Sequence, residues 1–160
     1  MQEFGISPPT GILIVAIGVA LLSTASLLIR RAPLQKRIIT LLIGVGVAIF
    51  LLAASYRPVT ILVSEDGIVI EGRGGVELGW QEITSAVFDA DLSTSQFRPT
   101  VRTRGVAIGG YRAGRFLLSN GEPARVYMEQ TDAAIVLRTG DLVYVLAPEN
   151  VTALAGAIDT

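Results

Sequence analysis

Two different periods of apolar residues divide the chain. Residues 11–29 and 38–54 are apolar runs of 19 and 17 residues without a charge. At about 1.5 Å per residue the first would span about 28 Å, close to the roughly 30 Å of a hydrocarbon core, and the second is near the lower limit. Between them, residues 30–37 hold four positive charges, and Pro33 breaks the helical pattern. The pattern predicts a two-helix transmembrane hairpin over 1–57, with helices 11–29 and 38–54 and a basic loop 30–37. A separate domain then covers 58–160. Lys and Arg in short loops favour the cytoplasmic side, so the loop is expected inside and the C-terminal domain outside. Ala16, Ala20, Gly44 and Ala48 recur at four-residue spacing, which lets helix backbones approach. Hairpin packing and homo-oligomerisation both use that spacing, and the pattern does not choose between them. Neither apolar run contains a charged residue, so an ion pathway has no support.

From Pro58 the period becomes that of strands. The runs 60–64 and 68–70 flank Glu65-Asp66-Gly67, and an Asp-Gly pair suits a tight hairpin. Further strands are expected at 76–80, 83–90, 101–108, 115–118, 124–129, 134–138 and 142–146. Turns fall at Gly72–Gly75, Gly109-Gly110, residues 119–122 and Thr139-Gly140-Asp141, and 91–100 reads as a polar loop. The last segment turns helical over 148–158. Pro148 suits a first turn, Glu149 complements the helix dipole, and Val151, Leu154, Ala155 and Ile158 share a face. These nine short runs, taken as about seven antiparallel strands with a capping C-terminal helix, make a mainly-β small barrel or sandwich.

Composition removes several classes of chemistry. The chain has no Cys and no His. Disulfides, thiolate chemistry, imidazole bases and His-ligated metals are therefore absent, and no catalytic residue, metal site or cofactor is expected. Residues 58–160 hold eight Arg against thirteen acids. Yet Arg98, Arg102, Arg104, Arg112, Arg115 and Arg125 lie in one stretch that contains a single acid, Glu122. A basic region inside an acidic domain suits an anionic partner, and Arg suits bidentate recognition of phosphate or carboxylate. The competing reading pairs these Arg with acids on neighbouring strands, such as Glu77, Asp89 and Asp91. Strand alternation places Arg102 and Arg104 on one face.

Other features are weaker. The glycines at 105, 109, 110 and 114 lack the Lys and following helix of a phosphate loop, and read as turns that let Tyr111 or Phe116 pack. Trp80 reads as a core or interface anchor. Asp89 and Asp91 share a strand face and are the raw material for a metal site or an acid–base pair, without a third ligand. With a pI near 5.4 and no recognised motif, nucleic-acid binding is not expected.

The stretches 102–121, 124–127 and 144–151, with Gly79-Trp80-Gln81-Glu82-Ile83, are similar to bacterial pleckstrin-homology-like (PH-like) domains that follow one or two transmembrane helices. The similarity covers most of 58–160 and is best over 98–150. It implies a fold and a membrane attachment, and no reaction. The expectation is a multi-pass protein of the bacterial cytoplasmic (inner) membrane, not an enzyme. It would present a binding or scaffolding module whose six Arg engage a partner membrane protein or anionic lipid head groups. A hydrolase using Asp89 and Asp91, and a structural subunit of a membrane complex, are the alternatives.

Overall fold

The computed structural model describes residues 1–7, 17–18, 42–47, 58–72, 74–129, 131–140 and 142–159. The chain divides into two units. One combines Met1–Ser7 with Pro58–Thr160, and the other is Pro8–Arg57. The apolar runs 11–29 and 38–54 and their basic loop fall almost entirely outside the described residues. Of them only 17–18 and 42–47 are described, and both are helical. Among the described residues no helix is long and apolar enough to cross a membrane. The expected multi-pass placement in the inner membrane, with the loop inside and the domain outside, is corrected accordingly.

Alternating apolar residues build the first sheet. Its strands are β1 (Gln2–Ile6), β2 (Val59–Val63), β3 (Gly67–Glu71) and β4 (Val76–Gly79), in the order β1-β2-β3-β4. Every neighbouring pair is antiparallel. In β2, Val59, Ile61 and Val63 are buried and the residues between them are not. This is the period of a strand with one face on a core. β1 was not expected from sequence. Ile6 lies opposite Val59 and Phe4 opposite Ile61, so the N-terminal residues extend the apolar face of β2. The boundary that grouped them with the apolar runs therefore moves. The Ser7 backbone N–H also donates to the Glu129 carboxylate, on the far side of the domain's sequence.

A 3₁₀ turn at Trp80–Glu82 leads to the second sheet. The half-buried Trp80 packs against the core and donates its indole N–H to the Ser64 carbonyl at 3.1 Å. The second sheet contains β5 (Ser85–Asp89), β6 (Pro99–Ile108), β7 (Tyr111–Leu118), β8 (Pro123–Met128), β9 (Ala134–Thr139) and β10 (Leu142–Ala147). Their order is β5-β9-β10-β8-β7-β6. The expectation of about seven strands, all antiparallel, is corrected in two respects. There are ten strands among the described residues, and β8 and β10 run parallel. β9 and β10 form the expected hairpin around residue 140, and β10 then lies between β9 and β8.

The inward residues of both sheets form one apolar core with Val151 and Leu154 of the C-terminal helix (Val151–Ile158). This helix starts later than its sequence pattern suggests. Asn150 is the cap, its side-chain oxygen accepting from the Ala153 N–H at 3.1 Å, so Pro148 and Glu149 precede the helix. Two facing sheets with a C-terminal helix make a PH-like sandwich.

Candidate functional site

The second sheet brings three of the six expected Arg into one row. Counting back from the Gly109-Gly110 turn, β6 and β7 pair Ile108 with Tyr111, Gly105 with Gly114 and Arg104 with Arg115. Across the next hairpin, Arg115 lies opposite Arg125. Arg125 in turn lies opposite Tyr144 of β10, with its guanidinium 6.0 Å from the centre of that ring. Directly opposed residues have their Cβ atoms about 4.5–5.5 Å apart, and like charges so placed repel. Arg104, Arg115 and Arg125 thus form a ladder about 10 Å across, at about 4.8 Å per strand.

Two bulges in β6 set this arrangement. Pairing skips Thr100 and Thr103. Their hydroxyls donate instead to the carbonyls of Leu117 (2.9 Å) and Arg115 (3.0 Å). Each threonine thereby replaces a ladder bond that the bulge removes. The second bulge also reverses the side-chain alternation. Arg102 sits opposite Phe116 and Arg104 opposite Arg115, neighbours on opposite faces of β7. The expectation that Arg102 and Arg104 share a face is corrected for this reason.

Glycine makes the floor. A Cβ on Gly105 would lie 2.2 Å from the Ala113 carbonyl oxygen, and one on Gly114 would lie 2.2 Å from that of Arg104. Both have positive φ, at 118° and 142°. They are therefore close-approach positions inside paired strands, not the turns expected from sequence. With Gly74, the three Arg and Tyr127 they line an open hollow of ≈ 500 Å³. Gly74, in the β3–β4 turn, ties the two sheets together. Its carbonyl accepts from the Tyr127 hydroxyl at 3.1 Å and from Arg125 Nη1 at 3.2 Å. Burial pushes the Tyr127 phenol up, against the opposing influence of Arg125. The phenol is thus held as a neutral donor beside the guanidinium groups.

Among the described residues no carboxylate lines this hollow, and no acid pairs with Arg104, Arg115 or Arg125. The acids proposed to neutralise the Arg stretch are engaged elsewhere or not in contact with it. Glu122, the one acid within the stretch, binds Arg138 from β9 through both guanidinium nitrogens at 3.2 and 2.8 Å. Arg138 and Asn120 hold its carboxyl below the usual carboxylate range.

Arg98 and Arg112 line a different hollow with Ser93, Thr131 and Asp132. Arg98 donates to the Ser93 carbonyl and Arg112 to the Met128 sulfur. The six Arg therefore do not form one patch. The Asp89 and Asp91 pair loses its geometric basis as a hydrolytic site. β5 ends at Asp89, so the two carboxylates do not share a strand face. Asp89 accepts from the Asp91 N–H, while Asp91 accepts from Ser93 and Thr94. The Ser93 and Thr94 hydroxyls hold the Asp91 carboxyl below its ordinary value. Both acids act as local turn caps.

Sequence reasoning did not single out Gly74, Tyr127 or Tyr144. A usable signal was present for the glycines, since Gly105 and Gly114 are equidistant from the Gly109-Gly110 turn. No curated protein and no solved structure matches the chain. The Bacterial PH domain family model matches residues 60–160, a stretch that runs from β2 through the C-terminal helix and leaves β1 outside. With that match spanning both sheets of the sandwich, the chain belongs to the bacterial PH domain family.

Proposed function

We propose that this protein is a binding module whose Arg104–Arg115–Arg125 ladder holds an oxyanion presented by a partner protein, a clustered carboxylate or a phosphorylated side chain. A PH-like domain suggests a binding or scaffolding role in general. The single observation supporting the finer reading is the row of three directly opposed Arg residues that line one hollow, without an acid among the described residues. Such a row raises the energy of the free domain, and an anion seated across it removes the repulsion. Planar guanidinium forks favour bidentate oxyanions over simple halides. The glycine floor keeps the oxyanion close to the sheet, and Tyr127 and Gly74 fix Arg125.

Inorganic pyrophosphate is a suitable probe, titrated into the full chain by calorimetry. Arg104→Gln/Arg115→Gln should weaken binding at least tenfold, and raised salt should weaken it further. Affinity that survives the double substitution would refute the assignment. Arg98→Gln/Arg112→Gln, in the other hollow, should leave it unchanged.

A further inference from the structure

The two edges of the six-stranded sheet are built differently. β6 begins with Pro99, carries Arg102 and Arg104, and is broken by bulges at Thr100 and Thr103. These features discourage another strand from pairing with an edge. β5, at the other edge, has no proline, no arginine and no bulge, and its one charged residue, Asp89, is its last. Its residues Ser85-Ala86-Val87-Phe88-Asp89 pair with β9 in unbroken register. Among the described residues nothing pairs with its outer side. Val87 and Phe88 are adjacent apolar residues, so they point to opposite faces, and they remain 47% and 48% exposed.

We infer that β5 is a self-association edge, which pairs antiparallel with β5 of a second copy about a two-fold axis through Val87. The strand is self-complementary in that register. Val87 faces Val87, Phe88 faces the small Ala86, and Asp89 faces Ser85. The only charged side chain therefore never meets its own copy. Its carboxylate already accepts the Asp91 N–H. Each Phe88 gains a neighbour on one face of the sheet and each Val87 on the other. A second copy is favoured over an open array because β6 is blunted. A head-to-tail β5–β6 contact would run on as a fibre, whereas β5–β5 pairing is isologous and closes at two. The net charge of −1 gives little repulsion between copies. Five residues a side fall well short of the roughly 20–30 of a standard interface, so the dimer is concentration-dependent.

The absence of cysteine makes the test direct. In the full chain, Val87→Cys should form an interchain disulfide under mild oxidation, because directly opposed Cβ atoms lie within reach of one. Ile108→Cys, exposed on the β6 edge, should not. Light scattering at tens of micromolar should give a mass rising toward twice 16.9 kDa, and Val87→Lys should return it to one chain. The inference is overturned if Val87→Cys stays monomeric or if Ile108→Cys cross-links as readily. A dimer that persists in Val87→Lys, or a parent chain that never exceeds one mass, also overturns it. None of these readouts depends on anion binding at the Arg ladder.

Discussion

One sheet uses arginine in two opposite ways. Arg138 on β9 is matched by a bidentate carboxylate and lies 5.7 Å from the centre of the Phe97 ring. Arg104 and Arg115, three strands and more away, lie in one row with a third Arg, with no acid among the described residues of the hollow they line. The first arrangement closes the β7–β8 turn onto β9 and leaves little charge to offer. The second leaves charge uncompensated where backbone geometry permits a close approach. The difference shows that the number of acids near a basic run does not say which Arg they neutralise. Glu122 lies inside the run and serves an Arg outside it.

The sharpest way to break this contrast is to fill the floor of the ladder. Gly114→Val would push a side chain into the Arg104 carbonyl at a backbone conformation that suits glycine. The conformation costs about 1–3 kcal/mol, and displaced backbone about as much again. Denaturant unfolding should register most of this loss and pyrophosphate binding should disappear. Gly121→Ala is the control. It also has positive φ but meets nothing within 4 Å, so it should cost distinctly less. Equal losses in the two variants would contradict the close approach of β6 and β7.

A smaller effect separates the two kinds of Arg. Arg115→Gln removes a charge that faces like charges on both sides. The domain should become more stable by a few tenths to about 1 kcal/mol, even as pyrophosphate affinity falls. Opposite signs for stability and binding mark a group kept for a ligand. A loss of stability would show that the ladder is neutralised in a way its neighbours do not reveal.

The smallest effect belongs to the Arg138–Glu122 pair, whose side chains are 37% and 38% exposed and therefore well screened. The carboxyl of Glu122 is held below its ordinary 4.5 in the folded state. Its contribution is thus present above that value and is lost as pH falls through the lowered one. Glu122→Gln should flatten the decline of stability on acidification below about pH 4.5. An unchanged acid limb of the stability profile would count against the pair.

Much of the sandwich was legible because local alternation and turn chemistry agree. β2 and β3 around Asp66-Gly67, and β9 and β10 around Gly140, follow the apolar period directly. What was not legible depends on partners distant in sequence. β1 has only Phe4 and Ile6 to mark it, and gains its role from β2. The start of β6 looked like loop because threonine and proline occupy it, yet Thr100 and Thr103 are the residues that let the strand bulge. The parity change at Thr103 then moved Arg102 off the face of Arg104. Gly105 and Gly114 carried a readable signal, since a two-residue turn between them fixes the pairing of Arg104 with Arg115.

The pairing of β1 with β2 also bears on the order of assembly. β1 leaves the ribosome about fifty residues ahead of the strand it must join, and joining segments that far apart in sequence carries an entropic cost that local pairing avoids. β2 can meanwhile form its hairpin with β3, whose contacts are local and fast. β1 is then added to an edge that already exists, a late step that leaves Ile6 and Phe4 uncovered until it occurs. A nascent-chain protease assay should find the first residues cleavable after the β2–β3–β4 meander has become resistant.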